Sequence, residues 1–240
     1  MEQVNVVILA AGLGTRLGKP FPKPLTPLAD GRSIMGQQFD NIFAVFGERA
    51  RVCVVVGFKH ELIMEHVPEA VFVYNENYDV TNTNRSLLKA LRSSPPGPVL
   101  WMNGDVVFEP TLLQRLAESM TADESAIAVN CASVAEEEVK YTVDGSGFVA
   151  QLSKQVPLSD ALGEAVGVNI VGSRDKATLI NRLAQCADQD YFERGIELAI
   201  EYDGMQVRPV DISDLFAVEV DTGEDLVRAN ARTEPAFQLA

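Results

Sequence analysis

Val6-Val7-Ile8-Leu9-Ala10-Ala11-Gly12-Leu13-Gly14-Thr15-Arg16-Leu17-Gly18, with Pro22-Lys23 close behind, opens the chain and decides its fold class. The apolar, β-branched run has the length of a buried strand. It stops at glycines, where a backbone can turn tightly and come close to a ligand. Bare N–H groups in such a loop can cradle phosphate oxygens. Arg16 offers a planar fork of donors and Lys23 a compact point charge. A strand running into a glycine loop with two cations suits the grip on a nucleoside triphosphate. The plainer alternative is an ordinary tight turn between a strand and a helix.

Two familiar glycine motifs are excluded. The P-loop needs Gly-Lys followed by Ser or Thr, but Gly18-Lys19 is followed by Pro20, and Gly12 lies six positions before Gly18. The dinucleotide fingerprint beginning at Gly12 would need a glycine where Leu17 stands.

With 240 residues and 47% hydrophobic content, the chain can bury a full core, and 1–240 reads as one domain. The formal charge of −14 argues against a nucleic-acid binder or a partner of anionic membranes, both of which need a basic face. An acidic protein that holds a triphosphate must gather its few cations in one place, and the opening loop does so. Cys53, Cys131 and Cys186 are scattered and odd in number, which suits reduced thiols in a cytoplasmic protein. His60 and His66 form no metal-binding pattern. No signal peptide or membrane-spanning run is expected.

Working outward, strand and helix patterns alternate. Strands are expected at Val4–Ala10, Arg51–Val56, Val71–Tyr74, Val99–Met102 and Ser125–Cys131. Helices are expected from the Ser33 cap to Phe46, at His60–Val67, from Asn84 or Arg85 to before Pro95, and at Pro110–Met120. A β-hairpin then turns at Asp144-Gly145-Ser146-Gly147. Beyond it come a strand at Ala165–Val171, helices at Ser173–Cys186 and Tyr191–Glu201, strands at Gln206–Val210 and Phe216–Val220, and a helix at Gly223–Ala231. The pattern predicts an α/β fold, doubly wound, with an inserted hairpin. Ligands in such sheets sit at the carboxyl ends of the strands.

Two acidic motifs fall at such ends. Asn103-Gly104-Asp105 follows an apolar strand, where an Asp can bind Mg²⁺ or cap a turn. Glu219-Val220-Asp221 puts two carboxylates on one face of a strand end. Asp105, Glu219 and Asp221 are therefore candidate metal ligands; helix capping is the alternative for Asp221.

The pattern L-A-A-G-x-G-T-R-L…P-K-P-L, the Gly104-Asp105 pair and E-x-D-T-x-E-D-L resemble the sugar-phosphate nucleotidyltransferases over nearly the whole chain. Asn77-Tyr78 with Asn82, Asn84, Ser86 and Leu87 tilts the resemblance toward the phosphocholine and aminoethylphosphonate cytidylyltransferases. The resemblance implies a mixed, mostly parallel Rossmann-like sheet. It implies a nucleotide-binding half at about 1–110 and an acceptor-binding half at about 111–240. CTP would lie on Leu9, Ala10, Ala11, Gly12, Gly14, Thr15 and Arg16, near Asp105, with Asn82 and Ser86 over the base. Mg²⁺ would sit on the carboxylates. The acceptor, a small phosphate or phosphonate, would attack the α-phosphorus and expel pyrophosphate, with Arg16 and Lys23 as the catalytic cations.

For the acceptor site we expect Glu164, Asn169, Tyr191 and Glu193, with Tyr141, Asp190, Phe192 and Phe216 as further candidates for a cationic head. A multi-aromatic cage is missing, since the one Trp, Trp101, lies within a strand. That favours amine or polyol acceptors over choline. Rival readings are a sugar-1-phosphate or inositol-1-phosphate nucleotidyltransferase and a nucleotide-sensing module without catalysis. A homo-oligomer is compatible with the pattern.

Overall fold

The computed structural model describes residues 3–14, 17–132 and 134–233. An interior strand is β1 (Val4–Ala10), which leads into the glycine loop. β1 pairs in parallel with β2 (Ala50–Val56) on one side and β4 (Val99–Asn103) on the other. Beyond β2 lies β3 (Val71–Tyr74), also parallel. Beyond β4 lies β9 (Gly163–Val171), antiparallel to β4 and to β6 (Ser125–Asn130). β10 (Val207–Asp211) closes the edge in parallel with β6, giving the order β10-β6-β9-β4-β1-β2-β3. The sheet is thus mixed and mostly parallel, as expected.

The central strands are apolar on both faces because both faces are covered, as parallel sheets require. Val6, Ile8 and Ala10 pack with Met35, Phe39 and Ile42 of α1 (Ile34–Phe46) and with Leu112, Leu113 and Leu116 of α4 (Pro110–Thr121). Ile63 of α2 (His60–His66) joins them. Val7 and Leu9 pack on the other face with Leu87 and Leu91 of α3 (Thr83–Ser93), Leu179 and Leu183 of α5 (Lys176–Gln185), and Phe192 and Ile196 of α6 (Phe192–Asp203). Trp101 of β4 meets Phe192 edge to face, with centroids 5.6 Å apart.

The hairpin is β7 (Lys140–Val143) with β8 (Val149–Ser153). Its turn is held by the Asp144 carboxylate, which accepts from the N–H groups of Ser146 and Phe148. α3 begins at Thr83, slightly before the expected start, because the Asn82 side chain accepts from the Thr83 N–H and caps it. One strand was not foreseen. Val106–Phe108 forms a short strand, β5, antiparallel to β11 (Ala217–Glu219). Three residues are too few for a periodic signal. α7 (Gly223–Thr233) follows β11. Among the described residues, no helix is long and apolar enough to cross a membrane.

Candidate active site

A cleft of about 550 Å³ opens where the carboxyl ends of β1 and β4 meet, a size suited to a small-molecule site. One wall is the glycine loop, through Leu9, Ala10, Gly12 and Gly14. Gly14 has φ 60°, and a Cβ there would lie 2.9 Å from the Lys23 Cβ. Only glycine therefore lets the loop fold back against Lys23. Thr15 and Arg16 lie outside the described residues.

Lys23 starts a single 3-10 turn, Lys23–Leu25, and is buried. Its Nζ donates to Asp105 Oδ2 at 2.5 Å and to Asp221 Oδ1. Burial acts to lower its pKa, but the two carboxylates outweigh burial and the net shift is upward, so the ammonium stays charged.

Asp105 stands on the turn between β4 and β5. Gly104 N–H donates to Leu9 O at 2.9 Å, tying that turn to the end of β1. Fully buried Gln38, from α1, donates Nε2 to Asn103 O and to Val106 O, each at 2.9 Å, and so clasps the turn from both sides. Asp221 stands two residues past the end of β11. The register pairs Glu219 with Val106, and Val220 N–H donates to Asp105 O at 2.9 Å. The start of α7 is tied by its own groups: Asp225 Oδ2 accepts from Asp221 N–H and Thr222 N–H, and Thr222 Oγ1 accepts from Asp225 N–H.

Glu219, two residues from Asp221, completes a cluster in which one oxygen from each of the three carboxylates lies within 4.8 Å of the others. Burial, then the charges of Asp105 and Asp221, push the Glu219 carboxyl well above its usual range. Asp105 Oδ1 is buried and accepts no hydrogen bond among the described residues. Three converging carboxylates with an unspent buried oxygen fit a hard divalent cation such as Mg²⁺.

The cleft is also lined by Tyr191 and Glu193 at the start of α6, Glu137 and Glu138 before β7, and Lys154 after β8. Lys154 Nζ lies 5.1 Å from the Tyr191 ring centroid. Glu193 is buried, its Oε2 has no partner among the described residues, and burial pushes its carboxyl up to about 7. Burial also raises Glu138, with help from Asp221 and Glu137.

Several expected contacts need correction. Ser86 is buried one turn into α3 and accepts from Asn75 Nδ2 at 3.1 Å, so it stands away from the cleft wall. Ala11 is buried behind the loop, its carbonyl accepting from Phe58 N–H. Asn169 is buried on β9 between Trp101 and Ile127, below the surface of the cleft. Glu164 accepts from Ala135 N–H at 3.1 Å and braces the loop before β7 instead of facing the cleft. Tyr141 is buried with its hydroxyl on Cys131 Sγ, Asp190 accepts from Ala187 N–H, and Phe216 lies under Arg232. Asn82 does line the cleft, beside Thr81 and Thr83. Lys154, Glu137 and Glu138 carried no motif in the sequence.

The family model for the MobA-like NTP transferase domain matches residues 6–191. This chain belongs to that family. Among curated relatives it is 32% identical to the CMP-5'-(3-aminopropyl)phosphonate synthase of Streptomyces rubellomurinus, over 97% of this chain and 39% of that one. It is 28% identical to the bifunctional protein GlmU of Leifsonia xyli subsp. xyli, over 100% of this chain and 52% of that one. The chain thus spans about two-fifths to a half of these relatives. Among solved structures, the inositol-1-phosphate CTP transferase from T. maritima superposes with TM-score 0.77, at 17% identity, covering 98% of both chains. The CTP:phosphocholine cytidylyltransferase from Streptococcus pneumoniae gives TM-score 0.73 at 15% identity, covering 96% of this chain and 99% of that one. The likeness to these two structures concerns the fold.

Proposed function

We propose that this NTP transferase domain moves CMP from CTP to a small phosphonate or phosphate that carries a cationic head, releasing pyrophosphate. The observation that carries the reading is the charge layout of one cleft. Lys23 sits with three converging carboxylates beside the glycine loop, and a second group of carboxylates, Glu137, Glu138 and Glu193, lines the same cleft. The relative that makes a CMP-aminoalkylphosphonate favours CTP and an amine-bearing acceptor.

The glycine loop holds the triphosphate, and Asn82 reaches the base from the start of α3. Lys23 lies close to the α-phosphate and neutralises charge that builds there in the transition state. Lys154 orients the anionic end of the acceptor, whose oxygen attacks the α-phosphorus in line. A new P–O bond forms, the bond from the α-phosphorus to the bridging oxygen breaks, and its electron pair leaves with pyrophosphate. The attacking oxygen is already anionic near neutral pH, so the chain need supply no general base, only position and charge. Glu138 and Glu193 hold the cationic head. Asp105, Asp221 and Glu219 would hold Mg²⁺, which when bound neutralises phosphate charge.

The test is pyrophosphate release with Mg²⁺, crossing CTP, UTP, dTTP, ATP and GTP with 2-aminoethylphosphonate, phosphocholine, inositol-1-phosphate and glucose-1-phosphate. Release with CTP and an amine or choline acceptor is expected. Release only with UTP or dTTP and a sugar phosphate would overturn both the base and the acceptor.

A further inference from the structure

We propose that Arg85, which lies outside the wall of the cleft, is a positioning residue that holds the acceptor wall in place against the nucleotide wall. The proposal rests on the acceptor reading above.

The segment between α5 and α6 has no regular structure of its own, yet it leads directly into Tyr191 and Glu193. What fixes it is a set of hydrogen bonds from the start of α3. Arg85 Nε donates to Asp188 Oδ1 at 2.8 Å, Nη2 to Cys186 O at 2.7 Å, and Nη1 to Leu183 O and Ala184 O at 3.3 and 3.5 Å. These carbonyls belong to the end of α5, where backbone acceptors are left over and a cation is favoured. Only a planar fork can reach four acceptors in this spread.

Neighbours extend the tie. Fully buried Asn84 donates to Ala187 O at 2.6 Å. Asn82 N–H donates to Asp188 O at 2.8 Å, and Phe192 N–H donates to Thr83 Oγ1 at 3.1 Å. Gln189 Nε2 donates to Val80 O at 2.7 Å. Residues 80–85 and 183–192 are therefore bound side to side. One strip faces the base through Asn82, and the other faces the acceptor head through Tyr191 and Glu193. Arg85 makes the largest share of the bonds between the strips. Its loss lets the acceptor wall drift while the glycine loop and the carboxylate cluster stay put.

The test compares wild type with R85Q, R85K and D188A, measuring KM for CTP, KM for the acceptor, and amide hydrogen exchange along 186–193. In R85Q the acceptor KM should rise about ten- to a hundredfold, as small misplacements do. The CTP KM should stay within about twofold, and exchange at 186–193 should speed up. R85K keeps the charge but loses the fork, so it should resemble R85Q. D188A, which removes one exposed acceptor, should shift the same quantities less, and it serves if R85Q does not fold. Unchanged exchange and acceptor KM would overturn the proposal, as would an equal rise in both KM values. If the wild type turns over no acceptor at all, the functional reading fails, while exchange in R85Q still decides whether Arg85 holds the wall.

Discussion

Replacing Lys23 by Ala removes an ammonium that both Asp105 and Asp221 accept from. Pyrophosphate release should fall at least about a hundredfold, as for loss of other preorganised charge contacts, with the far-UV spectrum unchanged. Normal turnover would take Lys23 out of the mechanism. D221N should leave the helix start intact, because Thr222 and Asp225 form it. It should raise the Mg²⁺ concentration needed for half-maximal rate, and an unchanged Mg²⁺ titration would take Asp221 out of the metal site. Lys23, Asp105 and Asp221 were legible in the sequence because each carries a local sign: Lys23 stands between two prolines behind the glycine loop, Asp105 follows a glycine at a strand end, and Asp221 lies two residues from Glu219 at another strand end. Lys154 and Glu138 had no such sign. They reach the cleft through tertiary packing of the hairpin and the loop before it, and surface charges of this kind are common in an acidic chain. Ser86 misled for the opposite reason. It sits in a motif-like stretch, but the helix starts at Thr83 and Asn75 draws the hydroxyl inward.

Gln38 shows how one element carries another to the site. Its side chain lies in α1, yet its bonds to Asn103 O and Val106 O fix the turn that bears Asp105. Gln38→Met keeps the volume and leaves these carbonyls without their donor. Stability should drop by about 1–3 kcal/mol, read by urea denaturation, and the Mg²⁺ requirement should rise with it. A loss of stability with an unchanged Mg²⁺ requirement would mean that the turn holds Asp105 without Gln38. The long elements were readable because their apolar residues repeat over many positions. β5 was not, and the β5–β11 pairing that brings Glu219 and Asp221 beside Asp105 joins segments more than a hundred residues apart. No local pattern encodes that register. The inferred tie between the starts of α3 and α6 is of the same kind, since Arg85 reads alone as a helix-surface charge.

The doubly wound sheet seats Glu193 at the first turn of α6, against the core that holds Trp101 and Phe192. That placement couples a site residue to the stability of the whole fold. Burial raises its carboxyl from the usual 4.5 to about 7 in the folded chain, with Lys154 opposing the shift and Glu197 adding to it. Between these two pH values the folded state binds more protons than the unfolded chain, so stability must fall as pH rises. The contribution is fully present below about pH 4.5 and gone above about pH 7, and on the order of 3–4 kcal/mol at most is involved. E193Q cannot ionise and should lose this part of the slope. The remaining raised carboxyls, Glu138, Glu164 and Glu219, are common to both proteins, so the difference between the two pH profiles isolates Glu193. Urea denaturation at pH 5, 6, 7 and 8 measures it, and parallel profiles would show that Glu193 titrates normally. An amine acceptor adds a second handle. An ammonium beside Glu193 favours the charged carboxylate, so acceptor affinity should strengthen more steeply as pH rises through 7 in the wild type than in E193Q, where Glu138 and the acceptor's own phosphate or phosphonate still titrate. With a polyol phosphate the two proteins should show the same profile, since its phosphate titrates alike in both, which makes the difference between the KM profiles a reading of the head group as well as of the residue.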